Sequence, residues 1–280
     1  MSRRVVALAA LCLPAFPFAA AIAHQDDPKL LDRQPAIRAD AFRADLDGVA
    51  KARAGGFEAD GVSLLGWLPL NELGGYESGN DCWGYISESG TEYAIIGVNS
   101  ATIIVSLAQP GNPTIVATIP GPDSLWRDVK TYQNFVYSVS EGGGGFQVID
   151  LAEIDNGVAS LVNTITTGGT TATHNVAINT QSGFLYRLGG DSNGMRVYSL
   201  ADPTTPVLVG SYTNKYVHDA QIVSYLSGPY AGREIAFCCA GFNGGFGQTG
   251  LTIVDVTDKS NMFEISALQY GNASYSHQGW

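Results

Sequence analysis

The chain has 280 residues, with 15 Lys and Arg against 26 Asp and Glu, which gives a formal net charge of −11. This acidity argues against nucleic acid or an anionic membrane surface as a partner, because phosphates are bound through clustered basic side chains. Glycine is abundant (34 residues) and charged residues make up only 15% of the chain, a balance typical of an all-β protein with short strands and tight turns.

The first 23 residues have the features of a secretory signal peptide. Arg3 and Arg4 form a basic start, an apolar run comes next, and Ala21-Ile22-Ala23 is a small-x-small cleavage site. A membrane anchor is the alternative, but two prolines interrupt the run, which is also short for a span of ~20 residues. We therefore expect an exported protein, extracellular, cell-surface or periplasmic, with no membrane span after signal cleavage.

Residues 24–60 differ in composition from the C-terminal remainder of the chain and are predicted to be a lead segment. Apolar residues at helix-like spacing, among them Ile37 and Phe42, predict either one amphipathic helix over Leu30–Lys51 or a linker. Val62–Leu70 then has the composition of a strand that stands alone. Because propellers often close with a strand from one end of the chain, we expect it to complete the blade formed by the other end.

From residue 61 to residue 280 the sequence repeats at intervals of 44 to 59 residues, which is typical of β-propeller blades. Each repeat opens with a short polar phrase and contains four runs rich in β-branched and aromatic residues. The four predicted blades cover residues 82–119, 126–165, 174–212 and 218–270. Their first strands are predicted at Cys82–Ser87, Trp126–Thr131, His174–Ile178 and His218–Ser224.

The third strand of each repeat has a second signature in the same register. It is Ile104-Val105-Ser106-Leu107, Val148-Ile149-Asp150-Leu151, Val197-Tyr198-Ser199-Leu200 and Ile253-Val254-Asp255-Val256. Two independent phrases in one register predict an all-β propeller of four-stranded antiparallel blades, with four blades and the start of a fifth present.

These phrases resemble LVIVD-repeat proteins, and in particular the choice-of-anchor B family. The resemblance covers about residues 60–280 and implies an exported bacterial β-propeller whose relatives differ mainly in C-terminal surface-anchoring or sorting signals. It implies no particular biochemical activity. The segments that carry it are Leu64–Leu70, Gly79–Tyr85, Trp126–Val129, His174-Asn175, His218–Gln221, Thr252–Ser260 and His277–Trp280.

The sequence departs from this family at its C-terminal end. Members of the family continue beyond the phrase that here ends in Trp280. Since a ring needs its remaining blades, the resemblance leads us to expect a fragment, truncated inside the first strand of a fifth blade.

The phrase that opens each repeat supplies the candidate functional residues. In a propeller the first strand of each blade lines the central channel, so equivalent positions on successive blades point at one axis. Three of the four histidines in the chain occupy this position. The predicted channel ring consists of Arg127, His174, His218 and His277, with Trp83 at the same register.

Imidazoles that converge from several strands are typical metal ligands, so His174, His218 and His277 are a candidate site for a divalent metal ion. The alternative is structural: polar pairs at this position bond neighbouring blades and recur because the blade recurs. Arg127 favours this alternative, since it places a permanent positive charge in the ring. The candidate side chains that would orient the imidazoles come directly after the ring positions and are Asp128, Asn175, Asp219 and Gln278.

No nucleophile elbow of the Gly-x-Ser-x-Gly type and no His-Glu-x-x-His zinc helix occurs in the sequence. Glycine clusters such as Gly142–Gly145 join a second strand to a third, which predicts hairpin turns rather than phosphate loops. A clear scaffold without a recognisable catalytic constellation favours an exported or surface-associated module that binds a protein or carbohydrate ligand. The alternatives are a metal-dependent enzyme that uses the channel histidines and a purely architectural surface protein.

Three cysteines, Cys82, Cys238 and Cys239, remain after signal cleavage. An odd number cannot all pair within one chain, and adjacent cysteines rarely bond to each other. A disulfide from Cys82 to one of the other two and buried thiols in strands are both open.

Overall fold

The computed structural model describes residues 35, 38, 40–43, 62–169, 172–190, 194–240, 250–271 and 276–280. In this part of the chain the regular structure consists of eighteen strands and one 3-10 turn at Ile154–Asn156. The signal segment, most of the lead segment and the glycine-rich stretch 241–249 lie outside the described residues. No helix within them is long and apolar enough to cross a bilayer.

The predicted all-β propeller fold is confirmed: four sheets form the blades, and each has four antiparallel strands that pair in chain order. Blade one contains β3 (Gly79–Ile86), β4 (Glu92–Val98), β5 (Ala101–Ser106) and β6 (Thr114–Pro120). Blade two contains β7 (Arg127–Tyr132), β8 (Phe135–Ser140), β9 (Phe146–Asp150) and β10 (Ser160–Ile165).

Blades three and four repeat this arrangement, and the described sheets do not close into a ring. Blade three contains β11 (Asn175–Asn179), β12 (Phe184–Leu188), β13 (Met195–Ser199) and β14 (Val207–Tyr212). Blade four contains β15 (Asp219–Ser224), β16 (Glu234–Cys239), β17 (Leu251–Asp255) and β18 (Phe263–Leu268).

The core lies between neighbouring blades, because strand alternation gives each sheet an apolar face on either side. Between blades two and three, Tyr137, Phe146 and Val148 pack against Leu185 and Tyr198, all of them fully buried. Phe146 and Tyr198 meet edge to face with ring centroids 5.1 Å apart. Each such aromatic side chain contributes about 1.5–3 kcal/mol through burial, which fixes one blade against the next.

Each outer strand carries one extra residue where it pairs with the third strand of its blade. The register shift falls at the same place in every sheet, and bulges of this kind increase the local twist of the strand. The extra residues are Val116, Val162, Val209 and Ile265.

The glycine cluster of blade two is a turn between β8 and β9, as predicted. Gly145 has φ +75°, and a Cβ added there would lie 2.0 Å from the carbonyl oxygen of Ile165. Only glycine permits this close approach between the turn and the outer strand.

The helix predicted for the lead segment is wrong at Phe42. Phe42–Arg43 (β1) is instead a short strand that pairs antiparallel with Gly66–Trp67 (β2). Pairing with a distant part of the chain outweighs the local spacing, and most of Leu30–Lys51 lies outside the described residues.

The closing strand predicted at Val62–Leu70 is also not observed, since only β2 forms there and it pairs with β1. The segment has a different role, because its apolar side chains cover the face of blade one that points away from blade two. Leu73 is buried there beside Val98 and Ile103. Leu68, Leu70 and Tyr76 pack against the same cluster.

Candidate ligand-binding cavity

The first strands of the blades line the axis of the propeller. β3 contacts β7, β7 contacts β11, and β11 contacts β15. Together with residues 276–280 they enclose a cavity of about 420 Å³, which is within the usual size range of small-molecule sites.

The predicted register of Trp83 needs correction. Asp81 accepts a hydrogen bond from the backbone N–H of Val129 (3.2 Å), and Asp128 accepts one from Val176 (2.7 Å). Asp81 is therefore the blade-one equivalent of Asp128, and Asn80, not Trp83, corresponds to Arg127. Trp83 lies three residues further along its strand and lines the same cavity.

Two of the predicted ring histidines are in direct contact. His174 and His218 are 6% and 2% exposed, and their Nε2 atoms are 2.7 Å apart. The other nitrogen of His174 lies 2.6 Å from Oε1 of the buried Glu141, and Nδ1 of His218 lies 3.0 Å from the carbonyl oxygen of His277. The imidazole of His277 packs against that of His218 with centroids 4.4 Å apart.

These three hydrogen bonds determine how many protons the group holds. The His277 carbonyl can only accept, so Nδ1 of His218 carries a proton, and each of the other two bonds needs one proton as well. Three protons shared by Glu141, His174 and His218 make the group electrically neutral. The chain of bonds therefore holds one more proton than a carboxylate with two neutral imidazoles.

The predicted three-histidine metal site has no ligand set in this geometry. Two nitrogens bound to one tetrahedral zinc at about 2.0–2.1 Å are roughly 3.3 Å apart, whereas Nε2 of His174 and Nε2 of His218 are 2.7 Å apart with a proton between them. Among the described residues, no group of three His, Cys, Asp or Glu side chains is arranged to hold a metal ion. The site remains a prediction from the sequence.

Arg127 departs from the predicted ring. Its side chain is 1% exposed and turns away from the axis, where it donates hydrogen bonds to the carbonyl oxygens of Val98 (2.9 Å) and Pro122 (2.5 Å). Trp126, one residue earlier, lines the cavity instead, with its ring 5.5 Å from that of His174. Arg127 thus joins blade two to blade one, which is the structural alternative considered for this position from the sequence.

Asp128 does not orient an imidazole. It accepts hydrogen bonds from Val176 and Val129 and from Nζ of Lys130 (2.7 Å), which also binds Asp81 (3.0 Å). Burial raises the pKa of Asp128 well above its usual range. Burial by itself lowers the pKa of Lys130, but the carboxylates of Asp128 and Asp81 outweigh it and raise this pKa.

The other predicted orienting residues line the cavity without a hydrogen bond to a histidine side chain. Asp219 accepts a bond from the N–H of Ala220 (2.8 Å). Asn175 is half-buried at the start of β11, and Gln278 is exposed. Glu141 and the backbone of His277 hold the imidazoles instead.

Three tryptophans form the apolar part of the cavity. Trp83 stacks on Trp280 with centroids 5.9 Å apart, and Nζ of Lys130 lies 4.6 Å from the Trp83 ring centroid. Trp126 lines the cavity beside His174. The cavity therefore combines aromatic faces with carboxylates, amides and imidazoles.

Sequence reasoning missed Glu141 and Trp126 as parts of the site. A signal for Glu141 exists, because it comes directly after β8 and the end of a second strand lies beside the start of the first in an antiparallel pair. Blades three and four have Gly189 and Ala240 after the corresponding strands. Nothing local distinguishes the inward direction of Trp126 from that of Arg127.

The cysteines are free thiols. Cys82 is exposed on blade one, whereas Cys238 and Cys239 are buried in β16. Burial raises the pKa of Cys239 to about 11, so this thiol stays protonated at neutral pH and is not a nucleophile.

Comparison with known proteins identifies an LVIVD repeat at residues 245–269, which includes β17 and β18. No curated protein matches the sequence. The LVIVD prediction is confirmed for this repeat, and membership of the choice-of-anchor B family stays a prediction.

Solved structures with similar architecture come from several bacteria. A functionally unknown protein from Desulfotomaculum acetoxidans is 15% identical, with 71% of this chain and 58% of that chain covered and a TM-score of 0.45. Kuenenia stuttgartiensis hydrazine synthase is 14% identical (66% and 48% covered, TM-score 0.44). An auxiliary nutrient binding protein from Bacteroides thetaiotaomicron is 11% identical (68% and 47% covered, TM-score 0.43). The chain spans about half the length of these structures, and likenesses this distant say nothing about its function.

Proposed function

We propose that this chain is part of an exported or surface-associated propeller that binds a carbohydrate in its axial cavity. The observation that carries the proposal is the cavity of about 420 Å³ with Trp83, Trp126 and Trp280 among polar side chains. A sugar has an apolar face that packs on an aromatic ring and a rim of hydroxyls that needs hydrogen-bonding groups. The cavity offers both.

The size of the cavity favours a carbohydrate over a protein ligand at this site. A stable protein interface buries about 800 Å² on each partner, which needs an extended surface, whereas a cavity of about 420 Å³ suits a few sugar units. Export rests on the signal-like first 23 residues.

The test is a glycan array followed by calorimetric titration with the best ligand. Trp126→Ala and Trp83→Ala are expected to weaken binding by roughly threefold to tenfold each, the equivalent of one aromatic contact. Tyr230→Ala is the matched control, since this exposed tyrosine lies on blade four and does not line the cavity. The proposal fails if no glycan binds, or if the tryptophan variants bind as well as the control.

A metal-dependent enzyme is the second candidate, favoured by the meeting of His174 and His218 in one cavity. Mass spectrometry of the purified protein would then find one transition metal ion per chain, absent from a His174→Ala, His218→Ala double variant that still folds. Metal in neither protein would leave the histidines with the structural role described above.

A further inference from the structure

Three aspartates occupy the same position in three blades. Asp81, Asp128 and Asp219 each come directly after the ring position of their first strand and each line the cavity. Asp81 and Asp128 are both satisfied in the same way: each accepts a backbone N–H from the next blade and a hydrogen bond from Lys130.

Asp219 has the same position without these partners. It is 8% exposed, and the one hydrogen bond that its carboxylate accepts within the described residues comes from the N–H of Ala220. Residues 276–280 lie on the side where the next blade would supply an N–H, and they give it no hydrogen bond. One carboxylate oxygen of a largely buried side chain therefore faces the cavity without a donor.

A buried carboxylate oxygen without a donor costs several times more than a partnered one. A ligand that brings a donor recovers this energy, so Asp219 is built to favour such a ligand. The donor is either a neutral hydroxyl or a cationic ammonium group.

The charges around the cavity decide between them. The formal charges of the lining side chains are three carboxylates, from Asp81, Asp128 and Asp219, and one ammonium, from Lys130. Lys130 is already held between Asp81 and Asp128 at 3.0 and 2.7 Å, and the Glu141–His174–His218 group is neutral. The uncompensated charge is negative and lies at Asp219, and the exposed Trp280 adds an aromatic face that favours a cation.

We propose that Asp219 binds a protonated amine of the ligand, so that the carbohydrate is an amino sugar. This inference rests on the proposed carbohydrate function and goes beyond it by naming the substrate class. Asp219 is the group that determines specificity, and the tryptophans supply the contact common to all sugars.

The test uses three β-1,4-linked tetrasaccharides that differ only at carbon 2. Tetraglucosamine carries an ammonium group, tetra-N-acetylglucosamine a neutral amide and cellotetraose a hydroxyl. Calorimetric titration at a pH where the amine is protonated is expected to show tetraglucosamine binding on the order of tenfold to a hundredfold more tightly than cellotetraose, as a charge-assisted hydrogen bond provides.

Asp219→Asn is the decisive variant, because it keeps the shape and removes the charge. It should bring the three affinities within about threefold of one another, and Gln221→Lys, which adds a positive charge to the same cavity, should do the same by repulsion. Asp258→Asn removes an equal charge from an exposed turn and should leave the preference unchanged.

The outcomes separate this inference from the proposed function. Equal binding of all three sugars by the unmodified protein, or a preference that survives Asp219→Asn, overturns the amino-sugar inference and leaves carbohydrate binding intact. Failure of every sugar to bind overturns both. Thermal unfolding of each variant shows whether a lost affinity reflects a lost fold.

Discussion

The junction between blades two and three and the open side of blade four place the same residue type at the same repeat position. At the junction, Asp128 is 3% exposed, accepts the N–H of Val176 and binds Lys130. On blade four, Asp219 is 8% exposed and accepts only the N–H of Ala220. The difference teaches that a repeated residue holds blades together where a strand of the next blade supplies donors. Where none does, it is left for a ligand.

The largest expected effect is on stability at the junction. Asp128→Ala leaves Lys130 with one carboxylate and Val176 without its acceptor, and removal of one partner of a buried ion pair costs about 3–5 kcal/mol. Asp219→Ala removes one local hydrogen bond and should cost less than about 1 kcal/mol. Urea denaturation of the two variants measures both values. Equal losses would show that the two positions do not differ.

A second, smaller effect concerns pH. Burial raises the pKa of Asp219, while Lys130 and His174 lower it and Asp81 raises it. Because the folded-state value lies above the unfolded one of about 3.9, the stabilising contribution of the protonated group is present below that value and lost as the pH rises through the raised pKa. Asp219→Asn should therefore gain stability relative to the unmodified protein as the pH rises.

Asp258→Asn provides the control of opposite sign. Hydrogen bonds from Ser260 lower the pKa of Asp258, so its contribution to stability is present above the unfolded value and lost as the pH falls. The free energy of unfolding of the three proteins, measured between about pH 3 and pH 8, tests both directions. The same direction for both variants would contradict the assignment of Asp219 as a carboxylate destabilised by burial.

The smallest expected effect on stability is that of Trp280→Ala. Trp280 is 78% exposed and contacts Trp83 through stacked rings, so the change in unfolding free energy should be less than about 1 kcal/mol. Sugar affinity should nevertheless fall by roughly threefold. A large loss of stability without a change in affinity would show that this side of blade four is structural, like the junction.

The blades were predictable because their signals are local. β4, β8, β9 and β13 begin and end where the sequence predicts, since alternating apolar residues between turn residues specify a strand without reference to the rest of the chain. The first strands deviate by one to three residues. β3 contains an irregularity between Gly79 and Cys82, and this extra residue is one reason why the predicted register of Trp83 is wrong.

The candidate site was predictable only in part, because its contacts join different blades. The opening phrase indicated His174 and His218 as neighbours, and they are 2.7 Å apart. It did not indicate that Glu141 orients His174, that Arg127 turns away from the axis or that Trp126 turns toward it. Each of these depends on a partner 29 to 47 residues away or on the direction of a side chain at a strand start.

By itself, the sequence determined the repeat, the four-stranded blades, the turns between them and the set of polar residues at the strand starts, because strand periodicity and turn chemistry act within a few residues. The tertiary structure alone decided which of those polar residues are satisfied. Asp128 and Asp219 have nearly the same local sequence, yet only the packing of a neighbouring strand supplies the N–H that one accepts and the other lacks. Hydrogen bonds between blades depend on the distance between two backbones, and no single stretch of the chain encodes that distance.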